Sequence, residues 1–265
     1  MKKRADVVLF EKGLVDSREK GKRVIMEGVV YLGTERIDKP GQKIDEEADV
    51  IVKKNPIKYV SRGGLKLEKS IEEFGLELDG KICMDIGAST GGFTDCMLSR
   101  GAKRVYAVDV GYGQLDWKLR NDDRVVVMER TNIRHVSPDE IEDQIEFISI
   151  DVSFISLELV LPVAKSLLKE GGEISALIKP QFEAGKSKVG KKGVIRDETV
   201  HMEVVKRIVD FSSNLNLGVA GLSYSPITGA TGNIEFLIYL KKGLDKSMDE
   251  DEIKAVIDIA HESLK

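Results

Sequence analysis

Ile82-Cys83-Met84-Asp85-Ile86-Gly87-Ala88-Ser89-Thr90-Gly91-Gly92-Phe93-Thr94 is the stretch on which the reading of this chain turns. A short apolar run reaches Asp85, passes a turn at Gly87, and meets Gly91-Gly92 just before a helical pattern. That order predicts the first strand, glycine turn and helix start of a doubly wound α/β domain. Glycine has no side chain, so a ligand can approach the backbone closely there. A second apolar run, Arg104 to Val108, ends in Asp109. In such folds an acidic residue about 20 positions on hydrogen-bonds the hydroxyls of a ribose. Together the two runs predict a bound nucleoside cofactor. Ala88 and Ser89 fill the middle of the turn and no Lys-Ser/Thr follows, so neither a dinucleotide loop nor a P-loop is matched.

The pattern Asp-x-Gly-x-x-x-Gly-Gly resembles instead the S-adenosylmethionine loop of class I methyltransferases. At 265 residues, 42% hydrophobic and 32% charged, the chain has room for one full α/β domain and a small second one. No window approaches the ~18 apolar residues of a membrane span. The basic start, Met1 to Phe10, is broken at once by Glu11-Lys12 and does not read as a signal peptide. Cys83 and Cys96 lack metal-ligand spacing and read as reduced core thiols, so no metal is expected and the cytoplasm is the natural setting.

The charge is uneven. Residues 1–66 hold 16 Lys/Arg against 11 Asp/Glu, and the remainder holds 25 against 34, which together give the net charge of −4. A basic head on an acidic body points to a head that meets a polyanion. Residues 4–14 read as a short amphipathic helix stopped by Gly13, and Ser17 caps a second helix from Arg18 to Met26, with Val24, Ile25 and Met26 as its apolar face. Val29 to Leu32 reads as a strand, Ile37 begins the return, and Val50 to Val52 closes a small sheet. The order of these elements resembles an S-four-type RNA-binding domain. The resemblance implies that Arg4, Arg18, Lys20, Lys22 and Arg23 meet structured RNA, mostly at phosphates.

Lys53-Lys54-Asn55-Pro56 reads as a polar linker, giving a small α+β domain at 1–54, a linker at 55–60 and an α/β domain at 61–265. Tyr59 to Leu67 then runs into a helix reaching Phe74, with Leu65, Leu67, Ile71 and Phe74 on its buried side and Lys66 beside it. Further strands are expected at Val125–Met128, Phe147–Ile150, Ile174–Ile178, Val219–Tyr224 and Ile234–Leu240, with helices at Leu115–Leu119, after Asp197, and from 249 onward. Asn132 follows the third strand and is a candidate for the adenine. Residues 185–196 form a glycine-rich basic loop, read as a lid or an RNA contact. Asp85, Asp109, Asp151 and Lys179 all stand just past the carboxyl ends of strands, where open α/β sheets carry their function.

Four blocks now stand in order: Ser61-Arg62-Gly63-Gly64-x-Lys66-Leu67, Asp151-Val-Ser-Phe-Ile-Ser, Lys179-Pro-Gln-Phe-Glu and Gly232-Asn-Ile-Glu235-Phe. Over essentially its whole length the chain resembles the TlyA-type (haemolysin A) family, FtsJ-like RNA ribose 2′-O-methyltransferases with an N-terminal S-four-type domain. The resemblance implies a catalytic set of Lys66, Asp151, Lys179 and Glu235. It implies a cofactor site of Asp85, Gly87, Ser89, Gly91, Gly92 and Phe93, with Asp109 on the ribose, and it adds Arg62 to the RNA contacts. It implies S-adenosylmethionine as cofactor and cytidines of ribosomal RNA, in one or both subunits, as substrate. A ribose hydroxyl must lose a proton as it attacks a sulfonium methyl, which a lysine can accept only if its pKa falls from ~10.4 towards neutrality. A second ammonium and partial burial push that way, while carboxylates hold the side chains. Lys179 is then the base or hydroxyl-orienting group, with Lys66 near the ribose and Asp151 and Glu235 orienting the lysines. A haemolysin would need an export signal and a membrane segment, and a non-catalytic assembly factor would be expected to lose part of the set. A small-molecule methyltransferase would not need the basic head.

Overall fold

The computed structural model describes residues 2–26, 28–52, 58–185, 188–190 and 193–264. Residues 55–57 of the expected linker, and 186, 187, 191 and 192 of the expected basic loop, lie outside them. The chain forms two compact units, Met1–Arg62 and Gly63–Lys265.

In the first unit β1 (Lys2–Arg4) leads directly into α1 (Ala5–Glu11), followed by α2 (Arg18–Met26), β2 (Val30–Leu32), β3 (Glu35–Arg36), β4 (Lys43–Asp45) and β5 (Val50–Val52). The expected helix over 4–14 is therefore shorter, because Arg4 belongs to a strand that pairs antiparallel with β4. A Lys-Lys-Arg strand has no apolar alternation to reveal it, and its partner lies far along the chain. β2 pairs with both β3 and β5 in a separate sheet. Ala5, Val8, Leu9, Val15, Ile25, Val30, Ile37, Ile44 and Val50 make the core between these elements. The expected apolar face of α2 is corrected: Met26 is exposed, and the buried side is Gly21 and Ile25, one turn apart. Gly21 lets the helices approach closely, since a Cβ there would stand 3.0 Å from the carbonyl oxygen of Asp6 on α1.

The second unit opens with α3 (Gly63–Phe74) and β6 (Ile82–Ile86), then α4 (Gly92–Ser99), β7 (Arg104–Val108), α5 (Trp117–Arg120) and β8 (Val125–Met128). β9 (Ile145–Ile150), α6 (Leu157–Leu167), β10 (Leu168–Ile178) and α7 (Pro180–Glu183) follow. The chain closes with α8 (Glu198–Asn214), β11 (Leu217–Tyr224), β12 (Phe236–Lys242) and α9 (Glu250–Ser263). The seven-stranded sheet has the order β11-β12-β10-β9-β6-β7-β8, parallel from β8 to β10 and antiparallel where β12 meets its two neighbours. The order reverses between β6 and β9, so ligands are expected beyond the carboxyl ends of those strands. β10 begins at Leu168, earlier than the expected Ile174, because a register shift between Leu168 and Glu173 carries the pairing past Gly171-Gly172. Asp197 and Asp249 cap α8 and α9 by accepting from Thr199 and Glu252 backbone N–H groups.

On α3 the buried residues are Gly64, Lys66, Leu67, Ser70 and Ile71, while Leu65 and Phe74 are half-buried. The lysine expected beside the buried face is therefore on it. Ser70 Oγ meets Ser175 Oγ of β10 at 2.7 Å, and the Phe74 ring stacks on Tyr239 of β12 at 5.5 Å, docking the helix across the sheet.

Gly91 precedes α4 with φ 92° and brings no side chain to cap it. Asp85, fully buried at the end of β6, does so instead: its Oδ2 accepts from the Thr94 N–H at 2.9 Å and from the Thr94 hydroxyl at 2.7 Å. Burial pushes the Asp85 carboxyl up to about 7. The unfolded chain therefore releases this proton first, so the contribution to stability is full below about pH 4, declines as pH rises towards 7, and is level above. Asn at this position keeps a carbonyl oxygen for Thr94 without the charge. Urea unfolding should show Asp85→Asn gaining on wild type by up to a few kcal/mol between pH 5 and pH 8. An equal difference at both pH values would show that Asp85 ionises as readily folded as unfolded.

Candidate active site

Two clusters meet at the carboxyl edge of the sheet. The first is the glycine turn after β6. Gly87 and Gly91 take φ 89° and 92°, and Ser89 takes φ 48°, unusual for a residue with a side chain. A Cβ on Gly87 would stand 2.5 Å from the carbonyl oxygen of Asp151, so only glycine lets this turn abut the end of β9. Ser89 is exposed on the turn, whereas Gly91, Gly92 and Phe93 are buried and hold it from beneath, as Asp85 does.

Asp109, at the end of β7, faces this turn. Its Oδ2 accepts from the Ser89 N–H at 2.8 Å and its Oδ1 from the Gly111 N–H at 2.6 Å. Each oxygen keeps a further lone pair, so a fixed carboxylate still able to accept from a ribose diol stands beside an open glycine turn. The residues present fit the nucleoside half of S-adenosylmethionine. The Asn132 side chain accepts from the Arg134 N–H at 3.2 Å and starts a short helical turn, so its part in the local fold is plain.

The second cluster joins four elements. Lys66 comes from α3, Asp151 from the end of β9, Lys179 from the end of β10, and Glu235 from just before β12. Lys66 Nζ stands 2.6 Å from Glu235 Oε2 and 3.8 Å from Asp151 Oδ2, and Lys179 Nζ stands 2.5 Å from Asp151 Oδ1. The structure thus brings all four expected residues into one chain of alternating charge. Glu235 is only 2% exposed, and Lys66 and Lys179 are buried as well. Burial alone would raise the Asp151 carboxyl, but the Lys66 and Lys179 ammonium groups outweigh it and hold it below its ordinary range. Lys179 Nζ also donates to Ser153 Oγ at 3.2 Å. Gln181 Nε2 donates to Glu235 Oε1 at 3.3 Å, and a Cβ on Gly229 would stand 2.6 Å from that oxygen.

Three residues that the sequence reading passed over complete the arrangement. Phe154 sits three residues after Asp151 with φ 64°, 89% exposed, its ring 4.7 Å from that of Phe182. Glu183 is buried; it accepts from the Ser156 hydroxyl at 2.7 Å and the Leu157 N–H at 2.8 Å, tying the Asp151 loop to the segment that carries Lys179. Asn233 is fully buried and joins two loops, accepting from the Ile195 N–H at 2.9 Å and donating to the Gly193 carbonyl at 2.8 Å. A capping carboxylate at the end of the Lys-Pro-Gln-Phe-Glu block was available as a signal for Glu183; the backbone of Phe154 gives none.

The basic positions of the first unit divide. Arg4 and Arg18 both turn to Asp6, whereas Lys20 pairs with Asp16 at 2.6 Å and Lys22 with Glu19 at 2.6 Å. Arg23 is half-buried on α2, and Arg62 is half-buried just before α3.

The sequence and the fold match known proteins. Residues 59–242 match the FtsJ-like methyltransferase family and residues 3–51 match the S4 domain. YqxC of Bacillus subtilis, provisionally named an rRNA methyltransferase, is 56% identical over 269 residues, covering 100% of this chain and 96% of that one. The 16S/23S rRNA (cytidine-2′-O)-methyltransferase TlyA of Mycobacterium tuberculosis is 38% identical over 262 residues, covering 98% and 97%. Among solved structures, a provisionally named haemolysin of Streptococcus thermophilus superposes with a TM-score of 0.80 at 48% identity, covering 99% of this chain and 96% of that one. An S-adenosylmethionine-dependent methyltransferase of Listeria monocytogenes, at 13% identity and a TM-score of 0.51 over 68% of this chain and 97% of that one, shares the fold alone. The chain has the class I methyltransferase fold with a small α+β unit before it, and it belongs to the TlyA (haemolysin A) family of FtsJ-like S-adenosylmethionine-dependent methyltransferases carrying an N-terminal S4 domain.

Proposed function

We propose that this protein methylates the ribose 2′-hydroxyl of a cytidine in ribosomal RNA, using S-adenosylmethionine. The observation that carries the reading is the Glu235–Lys66–Asp151–Lys179 chain at the sheet edge, against the glycine turn. The fold, the family and relatives named as cytidine-2′-O-methyltransferases support it. Bound there, the cofactor supplies an electrophilic methyl group.

Lys179 is assigned to the hydroxyl. Its ammonium, held 2.5 Å from the Asp151 carboxylate, donates to one lone pair of the 2′-oxygen and leaves the other to attack. As that oxygen bonds the methyl carbon and the methyl–sulfur bond breaks, its proton becomes strongly acidic, so solvent water suffices to accept it late in the step. Asp151 holds Lys179, and Glu235 holds Lys66 against the same carboxylate. The two ammonium and two carboxylate groups cancel, so the centre itself offers no net charge to a polyanion. RNA affinity is therefore assigned to Arg4 and Arg18 of the first unit and to the exposed ring of Phe154, on which a base can stack. Among the described residues no helix is long and apolar enough to cross a membrane, so nothing in the helices favours a pore former.

The reading is tested by methyl transfer from labelled S-adenosylmethionine to purified ribosomal subunits. Wild type should place label in ribose-methylated cytidine, and Lys179→Ala should lower kcat by about 100-fold or more while cofactor affinity stays within about twofold. Cofactor binding without label in either subunit would defeat the proposal, and full activity in Lys179→Ala would remove that residue's role. Phe154→Gly separates stacking from folding. Relief of the left-handed φ offsets glycine's added chain entropy, so stability should stay within about 1 kcal/mol. Subunit KM should rise about tenfold with the lost ring. An unchanged KM would show that the ring makes no contact with RNA.

A further inference from the structure

A fully buried carboxylate lies beneath two half-exposed arginines of the first unit. Asp6 of α1 is 0% exposed. Its Oδ1 accepts from Arg4 Nε at 2.9 Å and its Oδ2 from Arg4 Nη2 at 3.1 Å, a two-pronged bond. Arg18 Nη2 stands 3.5 Å from the same Oδ2. The two arginines come from different elements, the end of β1 and the start of α2, and their side chains remain 49% and 52% exposed. Burial pushes the Asp6 carboxyl up, and the guanidinium groups outweigh that and hold it below its ordinary range.

Simple neutralisation does not account for this. One carboxylate beside two guanidiniums leaves the surface positive, yet it grips Arg4 through Nε and Nη2 and meets Arg18 through Nη2, leaving Arg4 Nη1 and the Nε and Nη1 of Arg18 outside these contacts. Gly21 lets α2 lie close on the Asp6 backbone, where a Cβ would stand 3.0 Å from the Asp6 carbonyl oxygen, and this brings Arg18 within reach. Arginine loses much side-chain freedom when it grips a phosphate, and a side chain already held loses less.

We infer that Asp6 is a positioning residue that holds Arg4 and Arg18 as a preformed two-arginine clamp for the phosphodiester backbone of structured RNA. This rests on the reading that the first unit binds ribosomal RNA. The clamp reads no base, so its contribution is affinity and register, not sequence choice.

The test measures binding of the full chain to purified ribosomal subunits at several salt concentrations, with thermal unfolding followed alongside. A lost phosphate contact reduces the salt slope, whereas a disordered but present arginine weakens binding and leaves the slope intact. Arg4→Ala and Arg18→Ala should each lower affinity and reduce the slope by about 1. Asp6→Asn should lower affinity about tenfold with the slope unchanged, and adding Arg4→Ala to it should cost less than Arg4→Ala costs alone. Arg4→Lys keeps the charge without the fork and gives the same measurement should Asp6→Asn fail to fold; it too should bind about tenfold more weakly at unchanged slope. Wild-type affinity in Asp6→Asn or Arg4→Lys, with both alanine variants impaired, would overturn the role of Asp6 alone. Wild-type affinity and slope in both alanine variants would remove the RNA-binding reading, and the clamp with it.

Discussion

The ion chain from Glu235 through Lys66 and Asp151 to Lys179 constrains the whole second unit. Each of these groups carries a desolvation cost of several kcal/mol, offset chiefly by its charged neighbours, with Ser153 and Gln181 adding hydrogen bonds to Lys179 and Glu235. Removing any one leaves a buried charge without its match. Because the four come from α3, β9, β10 and the approach to β12, the sheet edge can form only with those elements in register. This explains why a helix precedes the first strand of the nucleoside-binding fold. α3 is docked by Ser70 on Ser175 and by Phe74 on Tyr239, and its inward face delivers Lys66.

The same edge couples the two halves of the site. Asp151 contributes its carboxylate to the ion chain and its backbone to the wall against which Gly87 turns. The glycine turn and the ion chain are thus set against each other by backbone contact, with no flexible side chain between them. Orientation of this kind is what an in-line transfer requires, since misplacement of about 1 Å is costly. Glu183 and Asn233 extend the logic outward: each is a buried side chain spent on the backbone of loops that carry the centre.

What could be read from the sequence was what local chemistry determines. The glycine turn, the acidic residues past strand ends and Asp197 ahead of α8 follow from spacing and residue type, and the structure has them in place. The four charged blocks were grouped by family resemblance; periodicity alone would have left Lys66 on the rim of its helix, because an amphipathic pattern assigns charge to solvent unless a partner is known. The partner, Glu235, lies 169 positions away. The β1–β4 pairing was hidden for the same reason, and Met26 was misplaced because α2 is steered by the Asp6 contact at Gly21, not by the hydrophobicity of its last turn. Phe154 shows the limit most clearly: its left-handed backbone is imposed by the fold around it and has no signature in residue type.

Charge distribution then sets where recognition can arise. A chain of net charge −4 has no global field that draws in a polyanion, and an ion chain of two positive and two negative groups adds none. Attraction must come from few, local and well-held groups. In the first unit Lys20 and Lys22 are engaged with exposed acids one turn away, in solvent-screened pairs worth little, whereas Arg4 and Arg18 are fixed to a buried carboxylate. With few contacts, affinity depends more on how rigidly each is held than on how many there are. A small number of ordered cations also gives a shallow salt dependence, so that discrimination among RNAs is left to shape and to the geometry demanded at the 2′-hydroxyl.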